Sequence, residues 1–289
     1  MSEAPLPDLV LAHIRAEELF PESGAALLAV SGGPDSIALL DLMHRTAHEL
    51  RLALVVGHVD HGIAPDSAAV ARAVERWAAR YALPFRSVTL SLGAGASETT
   101  ARAARYRALR DLQREVQARY LVTAHHADDQ VETVLLRVLK GSGMAGLAGI
   151  AGAGPEGLTR PLLAFDRATL IAWLRSHYPD AACHPPIHLD PANVDPRHDR
   201  SWVRQSVLPI LTARFGDNVR RRLLDLQRHA ARDRRAWSQV LRVLPGLDLR
   251  LGQHTISLSR RGLGGLPPAL AAVVLTAAAR EVGFTLSAR

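Results

Sequence analysis

The chain has 289 residues, 48% hydrophobic and 22% charged, a globular composition with length for one large or two modest domains. Its single cysteine, Cys183, excludes an internal disulfide framework and any cysteine-rich metal or iron–sulfur site. The longest apolar stretch, residues 269–279, falls short of the ~20 residues that span a bilayer. The first ten residues lack the basic block and apolar run of a signal peptide, so a cytoplasmic location is expected. The net charge is +7, and Lys140 is the only lysine among 35 basic residues. Arginine suits bidentate phosphate contact, which favours a nucleic acid or another polyanion as partner; an arginine-biased genome explains the same numbers equally well.

Strand-like and helix-like segments alternate from residue 25. AALLAV (25–30) is short, apolar and bounded by turn residues, so it reads as a buried strand. Residues 36–50 have helical spacing, 52–61 read as a strand, 67–83 as a helix, 85–92 as a strand and 98–120 as a long arginine-laced helix. A strand over 120–126 and a helix over 128–140 follow, ended by the glycine-rich GSGMAGLAG (141–149). This rhythm predicts an α/β fold with a parallel sheet and helices on both faces. Beyond it come a helix (166–178), a long proline-rich loop (183–200), basic helices (202–216 and 218–241), a strand pair (247–263) and a final helix (268–283). A boundary near Gly216 gives an N-terminal catalytic domain, 1–216, and a small, mainly helical α/β C-terminal domain, 217–289.

Ligands of such sheets sit beyond the carboxyl ends of the strands. There the chain reads Ser31-Gly32-Gly33-Pro34-Asp35-Ser36, a turn from strand into helix. Its backbone N–H groups and the positive end of the helix dipole form a phosphate cradle. Gly32 and Gly33 allow close approach, and the Ser31 and Ser36 hydroxyls add donors. The turn matches neither G-x-x-x-x-G-K-[ST] nor G-x-G-x-x-G. Asp35 beside phosphates is repulsive unless a cation such as Mg²⁺ lies between them; the alternative is an ordinary tight turn with a capping aspartate.

SGGPDS resembles the pyrophosphate-binding loop of the ATP pyrophosphatases, with a Rossmann-like adenine nucleotide alpha hydrolase fold. GHVDHGIAPDSAAVARAVERWA, ASETTARAARYRAL, TAHHADDQVETVLLRVLKGSGMAGLAG and TRPLLAFDRATLIAWL resemble, in order, blocks of the tRNA(Ile)-lysidine synthases. The resemblance covers residues 25–211. It implies an ATP- and Mg²⁺-dependent ligase that joins L-lysine to carbon 2 of the wobble cytidine in a CAU-anticodon isoleucine tRNA, through an adenylated intermediate. No membrane partner is implied, and a homodimer is allowed.

Asp129 and Glu132, three apart on a helix, share a face and suit either Mg²⁺ or the charged ends of lysine. His125, at the preceding strand end, suits phosphate contact or proton transfer. The resemblance assigns Asp129 and Glu132 to the reaction centre with His125 close by. Asp128 reads as a helix-capping residue and His126 as structural or peripheral; a zinc site from His125, His126 and Asp129 is an alternative. The loop from Leu189 resembles the family's D-x-[ST]-N … R-N-x-[IV]-R … P block through Asp190, Asn193, Arg200, Arg204 and Pro209, with Ala192 and Ser201 as departures. Arg200 or Arg204 is then a counter-charge for the adenylated intermediate, the alternative being a solvated basic helix end. The A-R-x-x-R-Y block gives Arg105 a phosphate or RNA contact. Arg220, Arg221 and Arg222, with Arg228, Arg232, Arg234 and Arg235, suit a tRNA backbone or a solvated face. Rival readings are a tRNA thiolase of the same fold, an amide-forming relative acting on a small molecule, and a non-catalytic RNA-binding relative.

Overall fold

A computed structural model describes residues 4–60, 67–90, 98–179, 186–188, 199–252 and 255–284. Helix α1 (Leu6–Ala16), which the sequence reading left unassigned, buries Leu6, Val10 and Ile14 at four-residue spacing. The alternation then runs β1 (Gly24–Ala29), α2 (Pro34–Leu50), β2 (Leu52–Asp60), α3 (Ser67–Arg80), β3 (Phe85–Thr89), α4 (Glu98–Glu115), β4 (Tyr120–Val122) and α5 (Ala127–Leu139). After α6 (Met144–Leu147) comes β5 (Leu158–Thr159), a two-residue strand too short to carry a periodic signal. Helix α7 (Arg167–His177), α8 (Asp199–Trp202), a π-helical turn (Val203–Val207) and α9 (Leu208–Phe215) follow, so the basic helix expected over 202–216 is broken by that turn.

The five strands form one parallel sheet, in the order β3-β2-β1-β4-β5. Successive strand residues point to opposite faces, and the core divides accordingly. Ala26, Leu28, Leu54, Val56, Tyr120 and Val122 pack with α1, α2, α3 and α7. Leu27, Val59 and Leu121 pack instead against Ala108, Leu109 and Leu112 of α4. Both faces are covered, which is why β1 reads as an unbroken apolar run rather than an alternating one.

The chain divides into two compact units, Met1–Glu132 with Ile150–Pro209, and Thr133–Gly149 with Ile210–Arg289. It crosses between them three times, whereas the sequence reading cut it once at Gly216, because α6 packs against the long helix α10 (Asn218–Val243) through Leu147, Ala148, Leu226 and Ala230. The second unit also holds β6 (Arg250–Leu251), antiparallel to β7 (Ile256–Ser257), then α11 (Arg260–Gly264) and α12 (Pro268–Glu281). The strands expected over 247–263 thus shrink to two residues each, and their last turn is helical. Leu241, Leu247, Val274, Ala277 and Ala278 form that unit's core. Among the described residues, no helix is long and apolar enough to cross a membrane.

Candidate active site

The glycine-rich turn leaves the carboxyl end of β1, the central strand. The N–H of Val30 donates to Gly57 O at 2.9 Å, and its carbonyl lies 2.8 Å from Nδ1 of the buried His58. Burial holds His58 below its usual pKa against the pull of that hydrogen bond and Asp60, so Nδ1–H is the donor. The exit of β1 is pinned at its last carbonyl. Gly32 then takes φ +89°, and a Cβ there would lie 2.7 Å from Val70 Cγ1 of α3. No side chain caps α2, whose first residue, Pro34, has no N–H to satisfy. Ser36 Oγ donates to Gly33 O at 2.8 Å and lies 3.3 Å from Ser31 Oγ. Among the described residues no side chain caps this helix N-terminus, and Gly32 and Gly33 leave the backbone bare in front of it, a geometry that accepts an anion.

Asp35, on the first turn of α2, meets Arg167 Nε at 3.0 Å from its Oδ1. The backbone N–H of Arg167 donates to Asp128 Oδ2 at 2.8 Å, so one arginine at the start of α7 ties the loop to α5. His126, 3% exposed, sits among three carboxylates. Its Nε2 is 3.8 Å from Asp35 and 3.7 Å from Asp129, its Nδ1 is 3.6 Å from Asp128, and its backbone N–H donates to Asp129 Oδ2 at 2.9 Å. Burial disfavours the imidazolium, yet the carboxylates outweigh it and raise the His126 pKa. Burial likewise disfavours the Asp35 carboxylate, and His126 with Arg167 outweigh it and lower its pKa.

Asp129 and Glu132 lie one turn apart on α5, and Arg200 and Arg204 one turn apart opposite them. Arg204 Nε donates to Glu132 Oε1 at 2.6 Å, and Arg200 Nη1 stands 3.9 Å from Asp129 Oδ1. Glu132 is 1% exposed, and its Oε2 has no partner among the described residues. Burial raises the Glu132 pKa despite Arg204.

His125 faces the other way, with Thr123 Oγ1 at 2.9 Å from Nδ1. Burial first, then Arg160, Arg102, Arg200 and Arg105, hold its pKa well below the usual histidine value. Asp190, Ala192, Asn193 and Cys183 lie outside the described residues. Arg220, Arg221 and Arg222 are exposed on α10, in the second unit. His126, read in the sequence as structural or peripheral, joins the carboxylates of the site; Arg160, Arg167 and His58 were not foreseen. Arg167 and His58 meet partners far away in the chain, so no local spacing announces them. Among the described residues no three His, Cys, Asp or Glu are arranged to hold a metal ion, and the zinc alternative finds no support in the geometry.

Residues 10–211 match the family model of a PP-loop domain, so sheet order, loop and site together define a PP-loop protein. The chain is 41% identical over 270 residues to a tRNA(Ile)-lysidine synthase of Methylobacterium nodulans, an alignment covering 90% of this chain and 76% of that protein. It belongs to the tRNA(Ile)-lysidine synthase family. A tRNA(Ile)-lysidine synthase of Symbiobacterium thermophilum is 38% identical over 224 residues, 74% of this chain but 45% of that one, so the chain spans less than half the length of that relative. Among solved structures, the U34-tRNA thiolase NcsA of Methanococcus maripaludis with its [4Fe-4S] cluster superposes with a TM-score of 0.60 at 15% identity. That match covers 78% of this chain and 79% of that chain, a likeness of fold alone.

Proposed function

We propose that the chain ligates L-lysine to carbon 2 of the wobble cytidine of a CAU-anticodon isoleucine tRNA at the expense of ATP. The reading rests on family membership and on one observation: Asp129 shares the imidazole of His126 with the loop carboxylate Asp35, and Asp129 and Glu132, one turn apart, are matched against Arg200 and Arg204.

The carbonyl at carbon 2 of cytosine is a poor electrophile whose oxygen does not leave unaided. Transfer of AMP from ATP to that oxygen forms one P–O bond, breaks the α–β phosphoanhydride and releases pyrophosphate. An amine of lysine then adds to carbon 2, AMP departs with the oxygen, and the nitrogen loses a proton. In this reading Ser31, Gly32, Gly33, Pro34, Asp35 and Ser36 hold the pyrophosphate end of ATP. Asp129 and Glu132 bind the cationic amino acid, Arg200 and Arg204 balance the charge of the adenylate, and His125 contacts phosphate or moves a proton. Asp35 suits Mg²⁺, which takes one or two carboxylates together with substrate phosphates: it is a hard oxygen donor, held ionised by Arg167 and His126. The ion, when bound, neutralises charge on the diphosphate as it leaves. Residues 1–216 carry the chemistry, and the basic face of 217–289, with Arg220, Arg221 and Arg222, holds the tRNA backbone. A cytoplasmic location accords with that substrate.

The test incubates the protein with MgATP, radiolabelled lysine and an isoleucine tRNA transcript with a CAU anticodon, a methionine tRNA transcript serving as control. ATP-dependent, acid-stable label on the isoleucine tRNA alone is the expected result. Pyrophosphate release without lysine transfer would assign another nucleophile.

A further inference from the structure

Asp41, at the end of the second turn of α2, is fully buried and its carboxylate is the meeting point of three helices. Its Oδ2 accepts from Trp173 Nε1 at 2.6 Å and from Arg45 Nε at 2.9 Å. Its Oδ1 accepts from the hydroxyls of Tyr178 at 2.5 Å and Tyr81 at 2.9 Å. Arg45 belongs to α2 and Tyr81 directly follows α3, while Trp173 lies on α7 and Tyr178 is the C-cap residue of that helix. Burial disfavours the carboxylate, and Arg45 with the three aromatic donors outweighs it and holds the Asp41 pKa below its usual value.

The same two helices carry the contact at the glycine-rich loop. Asp35 and Asp41 are six residues apart on α2, as Arg167 and Trp173 are on α7. Arg167 reaches Asp35 and Trp173 reaches Asp41 across the same interval, 132 positions. Equal intervals mean that α2 and α7 run side by side in one direction, with tie points about 9 Å apart at ~1.5 Å per residue. Leu170 and Leu174 of α7 share a core with Leu39, Leu40 and Met43 of α2, but apolar packing is non-directional. A buried carboxylate costs more to desolvate than an apolar residue of its size, and the best-attested use of such a group is to fix register. The start of α7 is tied separately, Arg167 N–H to Asp128 Oδ2 and Ala127 N–H to Phe165 O, each at 2.8 Å. Two points orient a rod: that end sets where α7 begins, and Asp41 sets its rotation and slant against α2.

We propose that Asp41 is a positioning residue of the glycine-rich loop: by holding Trp173 and Tyr178 it sets α7 on α2 so that Arg167 Nε stays aligned on the Asp35 carboxylate. Asp41 acts through Arg167 and not on a ligand. The Arg167 side chain is 43% exposed, so water competes with Asp35 for its guanidinium. A slide of α7 by about 1 Å takes their 3.0 Å contact out of hydrogen-bonding range. That the ligand of the loop is ATP rests on the proposed function; the control of Arg167 by Asp41 does not.

The test uses the full chain with Trp173→Phe, Tyr178→Phe and Tyr81→Phe, each of which removes one donor from Asp41 and keeps an aromatic ring. The first two release α7. The third acts on the end of α3, which does not carry Arg167, and controls for lost stability; Tyr178, 2.5 Å from the Tyr81 hydroxyl, keeps its own bond to Asp41. MgATP affinity is read by calorimetry. Exchange of the Arg167 Nε–H with water is read in ¹H–¹⁵N spectra without nucleotide, the signal being assigned by its loss in Arg167→Gln. Trp173→Phe and Tyr178→Phe are expected to speed that exchange and to weaken MgATP binding by up to roughly tenfold, the effect of losing a charge-assisted contact. Tyr81→Phe leaves both readings within about twofold at a similar loss of melting temperature. On the Arg167→Gln background, Trp173→Phe adds no more than about twofold, because the two act through one contact. Wild-type affinity with an unaltered Arg167 signal in both α7 variants overturns the proposal, as do additive losses or a Tyr81→Phe effect as large as theirs. If the wild type binds no MgATP, the functional reading fails, and the Arg167 exchange alone decides whether Asp41 positions it.

Discussion

Adjacent in the chain, His125 and His126 face opposite fields: burial and then four arginines press the first toward the neutral form, while three carboxylates outweigh burial and hold the second toward the charged one. The boundary between a basic and an acidic half of the site therefore runs between two consecutive residues. Such a division suits chemistry that brings polyanions and a cationic amino acid to one carbon atom. The acidic half is balanced by His126, Arg167, Arg200 and Arg204.

Asp35 is the loop's own carboxylate, and Arg167 and His126 are aligned on it. Asp35→Ala is expected to lower ATP-dependent pyrophosphate release by about 10²-fold or more, as loss of one charge-stabilising group does, with a far-ultraviolet circular dichroism spectrum like that of the wild type. Release at the wild-type rate would remove the loop from the ATP site.

Neighbouring glycines of the loop differ in what they tolerate. At Gly32 the positive φ strains any L side chain and a Cβ meets Val70, whereas at Gly33 the nearest atoms are 3.7 Å away. Gly32→Ala should lose about 1–3 kcal/mol of stability, whereas Gly33→Ala, at an extended φ of −76°, should gain up to about 0.4–1 kcal/mol, both read by urea denaturation. Equal changes would show that Val70 yields and that the turn is not conformationally locked.

Glu132 meets Arg204 through one oxygen, and the other has no partner among the described residues. Replacing Glu132 with Gln keeps the shape and removes the charge. A hydrogen bond to a charged group contributes about 1.5–3 kcal/mol, so the KM for lysine should rise at least tenfold while the KM for ATP changes little. If both constants are unchanged, Glu132 belongs to the scaffold and not to the lysine site.

Buried His125 resists protonation in the folded chain, because burial and then the surrounding arginines disfavour its imidazolium. The unfolded chain takes up that proton near pH 6.5. Stability is therefore complete above this pH and falls as the pH drops toward the lower folded-state value, by up to about 1.4 kcal/mol per pH unit. His13 and His58 are also held down by burial and add to the same slope. Urea midpoints measured between pH 7 and pH 5 should fall more steeply for the wild type than for His125→Asn. Parallel slopes would mean that His125 is protonated in the folded state.

Local physics made much of this protein legible in its sequence. An apolar run, a glycine turn and a helical pattern have only one short-range solution, and the repeating rhythm of strands and helices leads to a doubly covered parallel sheet. The three-residue spacing of Asp129 and Glu132 puts them on one face wherever the helix packs. Helix α1 and strand β5 were not readable: the first precedes the alternation, and the second is two residues held by register against β4. Tertiary structure alone chose the partners. Arg167 reaches Asp35 across 132 positions and Arg204 reaches Glu132 across 72. Spacing along a chain sets which face a side chain occupies, but its charge environment is set by whatever the fold brings to that face. Coulomb energy depends on distance in space, and that distance exists only once the sheet has closed its layers.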